Sequence, residues 1–320
     1  MIAVAEGLKG RDFTKVADWS GDELLRALDL ADELKRAHAA GEDARLLPGR
    51  TLGMIFQKPS TRTRVSFEVG IFQLGGIGLY LAASDLQLGR GETIEDTGKV
   101  LSRYVDAIVL RTFAQETLER LARAATIPVI NALSDHEHPC QAIADMQTIR
   151  QCKGRLSGLR LTYLGDGNNV AHSLLEAGAL LGMHVVVATP SGYEPIRQVV
   201  RRASTLARRS GGSVEVTNDP LAAAKDADVL YTDVWASMGQ ELEAEERALF
   251  FKPFQLNGEV LSVAAEDAIV LHCLPAHRGE EITAEVMDGA SSAVFDQVEN
   301  RLHSQKALLA MLLTGDPEPR

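Results

Sequence analysis

Short aliphatic and β-branched runs alternate with longer amphipathic stretches along this chain, and the alternation falls into two blocks. In the first block, residues 51–56, 77–81, 107–110 and 127–131 read as buried strands. Residues 93–103 and 116–125 lie between them and carry apolar positions at helical spacing. In the second block, residues 159–165, 183–189, 213–217, 228–232, 268–271 and 293–295 read as strands. Near-continuous apolar strands spaced by helices predict a parallel sheet covered on both faces. Two such blocks predict two α/β domains, each with a doubly wound parallel sheet. The boundary is expected in the helix after His138, around residues 142–156, giving one domain over residues 1–145 and a second over 146–300. The last helical stretch, residues 305–313, has no strand after it. Residues 301–320 are therefore expected to return to the first domain.

In such sheets ligands bind beyond the carboxyl ends of the strands. The polar clusters of this chain fall at those ends: residues 60–64, Arg111, residues 138–141, 166–169, 233–239 and 272–275. Six coincidences of this kind are hard to assign to packing.

The densest cluster lies in Phe56-Gln-Lys-Pro-Ser-Thr-Arg-Thr-Arg64, which holds three hydroxyls and two guanidiniums between Ser60 and Arg64. An apolar segment follows, with Val65, Val69 and Phe72 near helical spacing, and it ends at Gly75-Gly76. Ser60 or Thr61 would then cap a helix. Free backbone N–H groups and the positive end of the helix dipole favour an anion there. Arginine forks grip phosphate or carboxylate through paired hydrogen bonds.

Composition narrows the partners. The chain has 320 residues, 45% of them hydrophobic, which is ordinary for a globular protein of two domains. A net charge of −11 argues against nucleic acid or an anionic membrane as partner. Any anionic substrate must be held by local positive groups. Cys140, Cys152 and Cys273 form no C-x-x-C pair, and the start of the chain lacks the pattern of a signal peptide. With no apolar run of membrane-spanning length, a reduced, cytoplasmic setting is expected.

Gly165-Asp-Gly-Asn-Asn-Val170 follows a strand and opens a helix, so it has the outline of a dinucleotide fingerprint. Val170 stands where the third glycine would be, and the next strand ends in Ala188-Thr-Pro190 without an acid for a ribose hydroxyl. A nicotinamide-dependent oxidoreductase is therefore disfavoured. Asn168 and Asn169 suit instead the carboxylate or amine of a zwitterion, or a helix N-cap.

Taken together these motifs resemble the ornithine branch of the carbamoyltransferases over nearly the whole chain. Ser60-Thr-Arg-Thr-Arg64 is similar to the carbamoyl-phosphate signature of the wider family. His138-Pro-Cys-Gln141 resembles its H-P-x-Q motif, with Cys140 in the variable position. Asp233-Val-Trp-Ala-Ser-Met-Gly239 and His272-Cys-Leu-Pro275 resemble the two motifs that mark the ornithine branch. Asp296-Gln-Val-Glu-Asn-Arg-Leu-His303 is similar to the closing motif.

The resemblance implies transfer of a carbamoyl group from carbamoyl phosphate to the δ-amine of L-ornithine, giving citrulline and phosphate. It implies no metal and no organic cofactor, and a homotrimer, or an assembly of trimers, with shared active sites. By the same resemblance Ser60, Thr61, Arg62 and Thr63 cradle the phosphate, with Arg111, Arg301 and Gln87 assisting, the last reaching a neighbouring subunit. His138 donates to the carbonyl oxygen, Gln141 holds the carbamoyl amide, and Cys273 and Leu274 contact the carbamoyl group. Asn169, Asp233, Ser237 and Met238 match the ornithine contacts. Arg62, His138, Asp233 and Cys273 are the expected catalytic residues. The first domain would bind carbamoyl phosphate and the second ornithine, so the active site is expected in the cleft between them. Transferases for aspartate, putrescine or acylated ornithine, and a regulatory relative without catalysis, are the alternatives.

Overall fold

The computed structural model describes residues 2, 4, 8–83, 86, 91–236 and 244–314. Two compact units form, one from Met1–Gln147 with Glu299–Arg320 and one from Thr148–Val298. The first contains α1 (Gly21–Ala39), β1 (Thr51–Phe56), α2 (Thr61–Gln73), β2 (Ile77–Ala82), α3 (Ile94–Leu101), β3 (Ala107–Arg111), α4 (Gln115–Ala124), β4 (Val129–Leu133) and most of α5 (Pro139–Lys153). The second contains β5 (Arg160–Leu164), α6 (Asn169–Leu180), β6 (His184–Ala188), α7 (Arg197–Ser210), β7 (Ser213–Thr217), α8 (Pro220–Ala224), β8 (Val229–Thr232), α9 (Ala244–Phe251), α10 (Gly258–Ser262), β9 (Ile269–His272) and α11 (Ala284–Met287). The last helix, α12 (Val294–Leu313), starts in the second unit and continues in the first.

Both sheets are parallel, as the alternation of apolar strands and helices predicts. The first has the order β2-β1-β3-β4 and the second β7-β6-β5-β8-β9. In the first sheet Leu52 of β1 pairs with Gly78 on one side and Ala107 on the other. The connections from β1 and β3 therefore leave in opposite directions, which opens a crevice beyond their carboxyl ends. The same reversal occurs between β5 and β8, where Leu161 pairs with Val185 and Val229. Ser60–Arg64 and Arg111 lie at the first switch point; Asp166–Asn169 and Asp233 lie at the second.

Local chemistry sets the helices. Ser20 caps α1 by accepting from the Glu23 N–H, and the Glu23 carboxylate answers the Ser20 N–H at 2.6 Å. Leu118 and Leu121 of α4 point into a cluster with Ile55, Ile108, Leu110 and Val129. Each leucine buried in this way contributes about 2 kcal/mol.

Two features depart from the sequence pattern. The stripe Val65, Val69 and Phe72 is not the buried face of α2. All three are exposed, Phe72 by 75%, while Phe67, Gly70 and Ile71 face the core. The buried set has the same helical spacing, and the sheet selects it. Residues 293–295 are not a strand either. Ser292 makes a single bridge to Val270, Ala293 N–H donates to Val270 O at 2.9 Å, and α12 then begins. Gln297 on its first turn accepts from the His272 N–H at 2.9 Å and donates to the Tyr231 hydroxyl at 3.1 Å. A side chain thus satisfies the edge of β9 where a further strand was expected.

Candidate active site

In the first unit, Ser60 is the residue that caps α2, its Oγ accepting from Thr63 N–H at 3.2 Å. The hydroxyl hydrogen of Ser60 is left to donate to an anion at the helix start. Thr61 and Arg62 form the first turn with Thr63, whose side chain is buried. Arg301 comes from α12, far along the chain. Its guanidinium donates to Thr63 Oγ1 at 3.1 Å and to Gln141 Oε1 at 2.6 Å. Gln141 in turn donates through Nε2 to Asp145 Oδ1 at 2.7 Å, one helical turn away on α5. This chain settles which end of the Gln141 amide is oxygen. Arg111, the last residue of β3, is buried.

His138 sits directly before α5 and is buried. Its pKa lies well below the ordinary imidazole value because burial disfavours the charged ring and the Arg301, Arg111 and Arg62 guanidiniums repel a further positive charge. The charge of all three arginines bears on His138, and the ring is neutral at pH 7. The second arginine of the opening run behaves otherwise. Arg64 pairs with Glu68 at 3.3 Å and lies 3.8 Å over the Tyr80 ring, on the exposed side of α2. Cys140, between His138 and Gln141, is a buried thiol whose pKa is pushed up to about 12 by burial, so it is no nucleophile.

In the second unit, Asp233 follows β8 and is buried. Its Oδ1 accepts from the Cys273 thiol at 2.9 Å and from Val234 N–H at 2.8 Å. Its Oδ2 accepts from Asn168 Nδ2 at 2.9 Å. Asn168 is the N-cap of α6, taking the Val170 and Ala171 N–H groups on Oδ1, and Asn169 is the first residue of the helix. The Tyr163 hydroxyl reaches the same oxygen at 3.4 Å. Burial, reinforced by Asp233 and Asp166, keeps that phenol well above its ordinary pKa and therefore neutral.

Asp166 pairs with Arg247 of α9, which also donates from Nε to Trp235 O at 2.6 Å. Burial raises the Asp166 pKa to about 6, against the opposing pull of Arg247. Gly167 has no room for a side chain, since a Cβ there would meet backbone atoms of Tyr193, Glu194 and Pro195 at 2.3–2.5 Å. The glycine that gave this loop a dinucleotide outline thus serves loop packing, in the place where a pyrophosphate would need to approach.

Leu274 has φ +59° and is joined to Pro275 by a cis peptide bond. Its N–H donates to His272 Nδ1 at 2.8 Å, and His272 Nε2 lies 3.0 Å from Glu281 Oε1. The pattern gives His272 its hydrogen on Nε2. Asp233, His272 and Cys273 bring three metal-type donors together, but both ring nitrogens of His272 are already committed to hydrogen bonds.

The structure therefore gathers Ser60, Thr61, Arg62, Thr63, Arg111, His138, Gln141 and Arg301 in one unit. In the other it sets Cys273 against Asp233, with Leu274 next to Cys273 in the chain and Asn169 next to Asn168, the residue that donates to Asp233. Gln87, Ser237 and Met238 lie outside the described residues. Sequence reading passed over Asp145, Arg247, Tyr163 and the contact of Asn168 with Asp233. The spacing of Asp145 from Gln141, four residues on one helix, was a usable signal; nothing local pointed from Arg247 to Asp166.

An anion cradle on one parallel α/β unit and an acid–thiol–amide set on the next define a two-domain transferase. Residues 11–151 match the model of the aspartate/ornithine carbamoyltransferase carbamoyl-P binding domain, and residues 157–312 match the Asp/Orn binding domain of the same family. The chain belongs to the aspartate/ornithine carbamoyltransferase family. It is 59% identical to an ornithine carbamoyltransferase of Thermococcus kodakarensis over 96% of this chain and 98% of that one. It is 57% identical to an anabolic ornithine carbamoyltransferase of Pyrococcus furiosus, again over 96% and 98%. A solved ornithine carbamoyltransferase from Pyrococcus furiosus superposes with a TM-score of 0.95 at 56% identity, covering 98% of this chain and 100% of that one.

Proposed function

We propose that this protein transfers the carbamoyl group of carbamoyl phosphate to the δ-amine of L-ornithine, giving L-citrulline and phosphate, as a step of arginine biosynthesis. The observation that carries the reading is the Arg301 fork, which ties Thr63 of the phosphate motif to Gln141 beside a neutral His138. Phosphate, carbonyl oxygen and amide of one small anion each have a counterpart there. The relatives named ornithine carbamoyltransferase, one of them anabolic, support ornithine and the biosynthetic direction.

In this reading the first-turn N–H groups of α2, with Ser60, Thr61, Arg62 and Thr63, hold the phosphate, and Arg111, Arg301 and Gln87 add to them. His138, with Arg62, stabilises negative charge growing on the carbonyl oxygen. A neutral imidazole donates one hydrogen bond without drawing phosphate away as a fourth cation would. Gln141 takes the carbamoyl amide, and Cys273 and Leu274 contact the carbamoyl group. Asp233 holds the α-ammonium of ornithine, and Asn169, Ser237 and Met238 complete its site. The neutral δ-nitrogen attacks the carbonyl carbon, the bond from carbon to the phosphate oxygen breaks, and the nitrogen loses a proton to phosphate or to the Asp233–Cys273 pair. Because phosphate leaves readily, no covalent cysteine intermediate is required.

We further infer a homotrimer, or an assembly of trimers, located in the cytoplasm. Exposed Val65, Phe72, Ile77 and Leu79 on α2 and the edge strand β2 support burial against further copies. Three cysteines with no C-x-x-C pair support a reducing compartment, and the net charge of −11 argues against nucleic acid or an anionic membrane. Among the described residues no helix is long and apolar enough to cross a membrane.

The test is to incubate the purified protein with carbamoyl phosphate and, separately, ornithine, putrescine, acetylornithine and aspartate, reading out ureido product. Product with ornithine alone is expected; none with ornithine sinks the proposal. Sedimentation equilibrium checks the assembly, and a monomeric mass overturns it.

A further inference from the structure

Between β9 and α11 the chain makes a tight turn, closed by Glu280 N–H donating to His277 O at 2.9 Å. Gln255 pins it from outside, its Nε2 donating to Gly279 O at 3.0 Å and Glu280 O at 2.7 Å. Arg278 pairs with Asp288 through two nitrogens, at 2.9 and 2.7 Å, and Leu256 N–H donates to Glu281 O at 2.8 Å. These contacts brace the turn, and the ligand atoms of His277, Glu280 and Glu281 lie within 4.8 Å of one another.

Glu281 is fully buried, and its two oxygens fare differently. Oε1 accepts from His272 Nε2 at 3.0 Å and from His277 N–H at 2.6 Å. Oε2 is buried and has no hydrogen-bond partner among the described residues. A buried carboxylate oxygen left without a donor costs free energy that a cation would recover. Burial raises the pKa of this carboxyl, but the His272 and His277 hydrogen bonds outweigh it, so it stays below its usual range and ionised.

The oxygen without a donor faces His277 Nδ1 at 3.6 Å, and Glu280 Oε2 lies 3.8 Å from the same nitrogen. Donors held about 2.0–2.1 Å from a tetrahedral Zn2+ sit about 3.4 Å apart, so small rotations of the two exposed side chains would close the shell. One imidazole and two carboxylates suit a borderline divalent ion, and the two negative charges balance it. The hydrogen bond from His272 to Glu281 is the kind of outer contact that orients a carboxylate ligand.

We propose that His277, Glu280 and Glu281 form a binding site for a divalent transition-metal ion of the Zn2+ type, on the surface of the second unit and outside the substrate residues. Water would fill the remaining coordination position. The Asp233–His272–Cys273 group is the rival binder, and the test separates the two by chemistry.

Protein stripped with chelator is dialysed against Zn2+, and the bound metal is counted; Co2+ then serves as the visible probe. Cys273→Ser is expected to keep stoichiometric binding, and its Co2+ spectrum should lack a thiolate charge-transfer band. His277→Ala should weaken binding by about a hundred-fold or more, since loss of even an outer-shell partner costs about ten- to a hundred-fold. Glu280→Gln should weaken it in the same sense, and neither change touches the buried Glu281–His272 pair. The proposal is overturned if Cys273→Ser abolishes binding, if His277→Ala and Glu280→Gln leave it unchanged, or if the unmodified chain takes up no metal.

Discussion

Arg301 donates to Gln141 across 2.6 Å although 160 positions separate them in the chain. The contact gives the Gln141 amide a fixed sense, oxygen toward the arginine and nitrogen toward Asp145.

Asp145 should therefore matter without touching substrate. In Asp145→Asn the amide of Gln141 loses its charged acceptor and can turn over. A hydrogen bond to a charged group is worth about 1.5–3 kcal/mol, so kcat/KM for carbamoyl phosphate should fall about ten- to a hundred-fold. The KM for ornithine should change much less. Steady-state kinetics with each substrate varied decides it.

Arg62→Ala removes a guanidinium that bears on His138 and, in the proposed reaction, both anchors phosphate and steadies the carbonyl oxygen. Loss of one such donor costs about a hundred- to a thousand-fold. Citrulline formation at the unmodified rate would refute the phosphate-cradle assignment.

His138 should be silent in the pH profile. Burial and three guanidiniums hold its pKa well below the ordinary value, so it is already neutral where a free imidazole would titrate. Between pH 8 and the depressed pKa its charge does not change. His138→Gln should lower kcat by about a hundred-fold or more while leaving the acid limb of kcat/KM where it was. An acid limb near the ordinary histidine pKa that vanishes in the variant would contradict this.

Cys273→Ser should retain measurable activity. The thiol donates to Asp233 at 2.9 Å, a hydrogen bond that a serine hydroxyl can reproduce. Mass spectrometry of a quenched turnover mixture should show no carbamoylated Cys273, and finding one would overturn the direct-transfer route.

His303 predicts part of the acid lability. Burial, and then the Lys306 ammonium, lower its pKa from 6.5 to about 4. The unfolded chain binds the proton first. The stability His303 contributes is complete above pH 6.5 and is lost as pH falls through about 4. A shift of this size corresponds to about 3 kcal/mol. His303→Gln should flatten the decline in unfolding free energy over that window, measured by urea titration at successive pH values. An unchanged slope would show that other groups carry it.

Much of the architecture was legible in the chain itself. Apolar runs of strand length, Ser60 before its helix and Gly75-Gly76 after it are local signals, because a strand's burial or a cap's hydrogen bond is decided by neighbouring residues. The order of the motifs was enough to indicate two α/β units. Packing decided the rest. The spacing of Val65, Val69 and Phe72 marked a helix but not its buried face, because Phe67, Gly70 and Ile71 share that spacing. Residues 293–295 look like a strand by composition, yet Gln297 closes the edge of β9 from a helix. The Arg301–Gln141 and Arg247–Asp166 contacts join residues far apart in the chain, and no local signal encodes them. Sequence alone determined most of the elements and where their polar ends fall. The tertiary structure decided which side chains meet there, because long-range partners are chosen by the packing of whole elements.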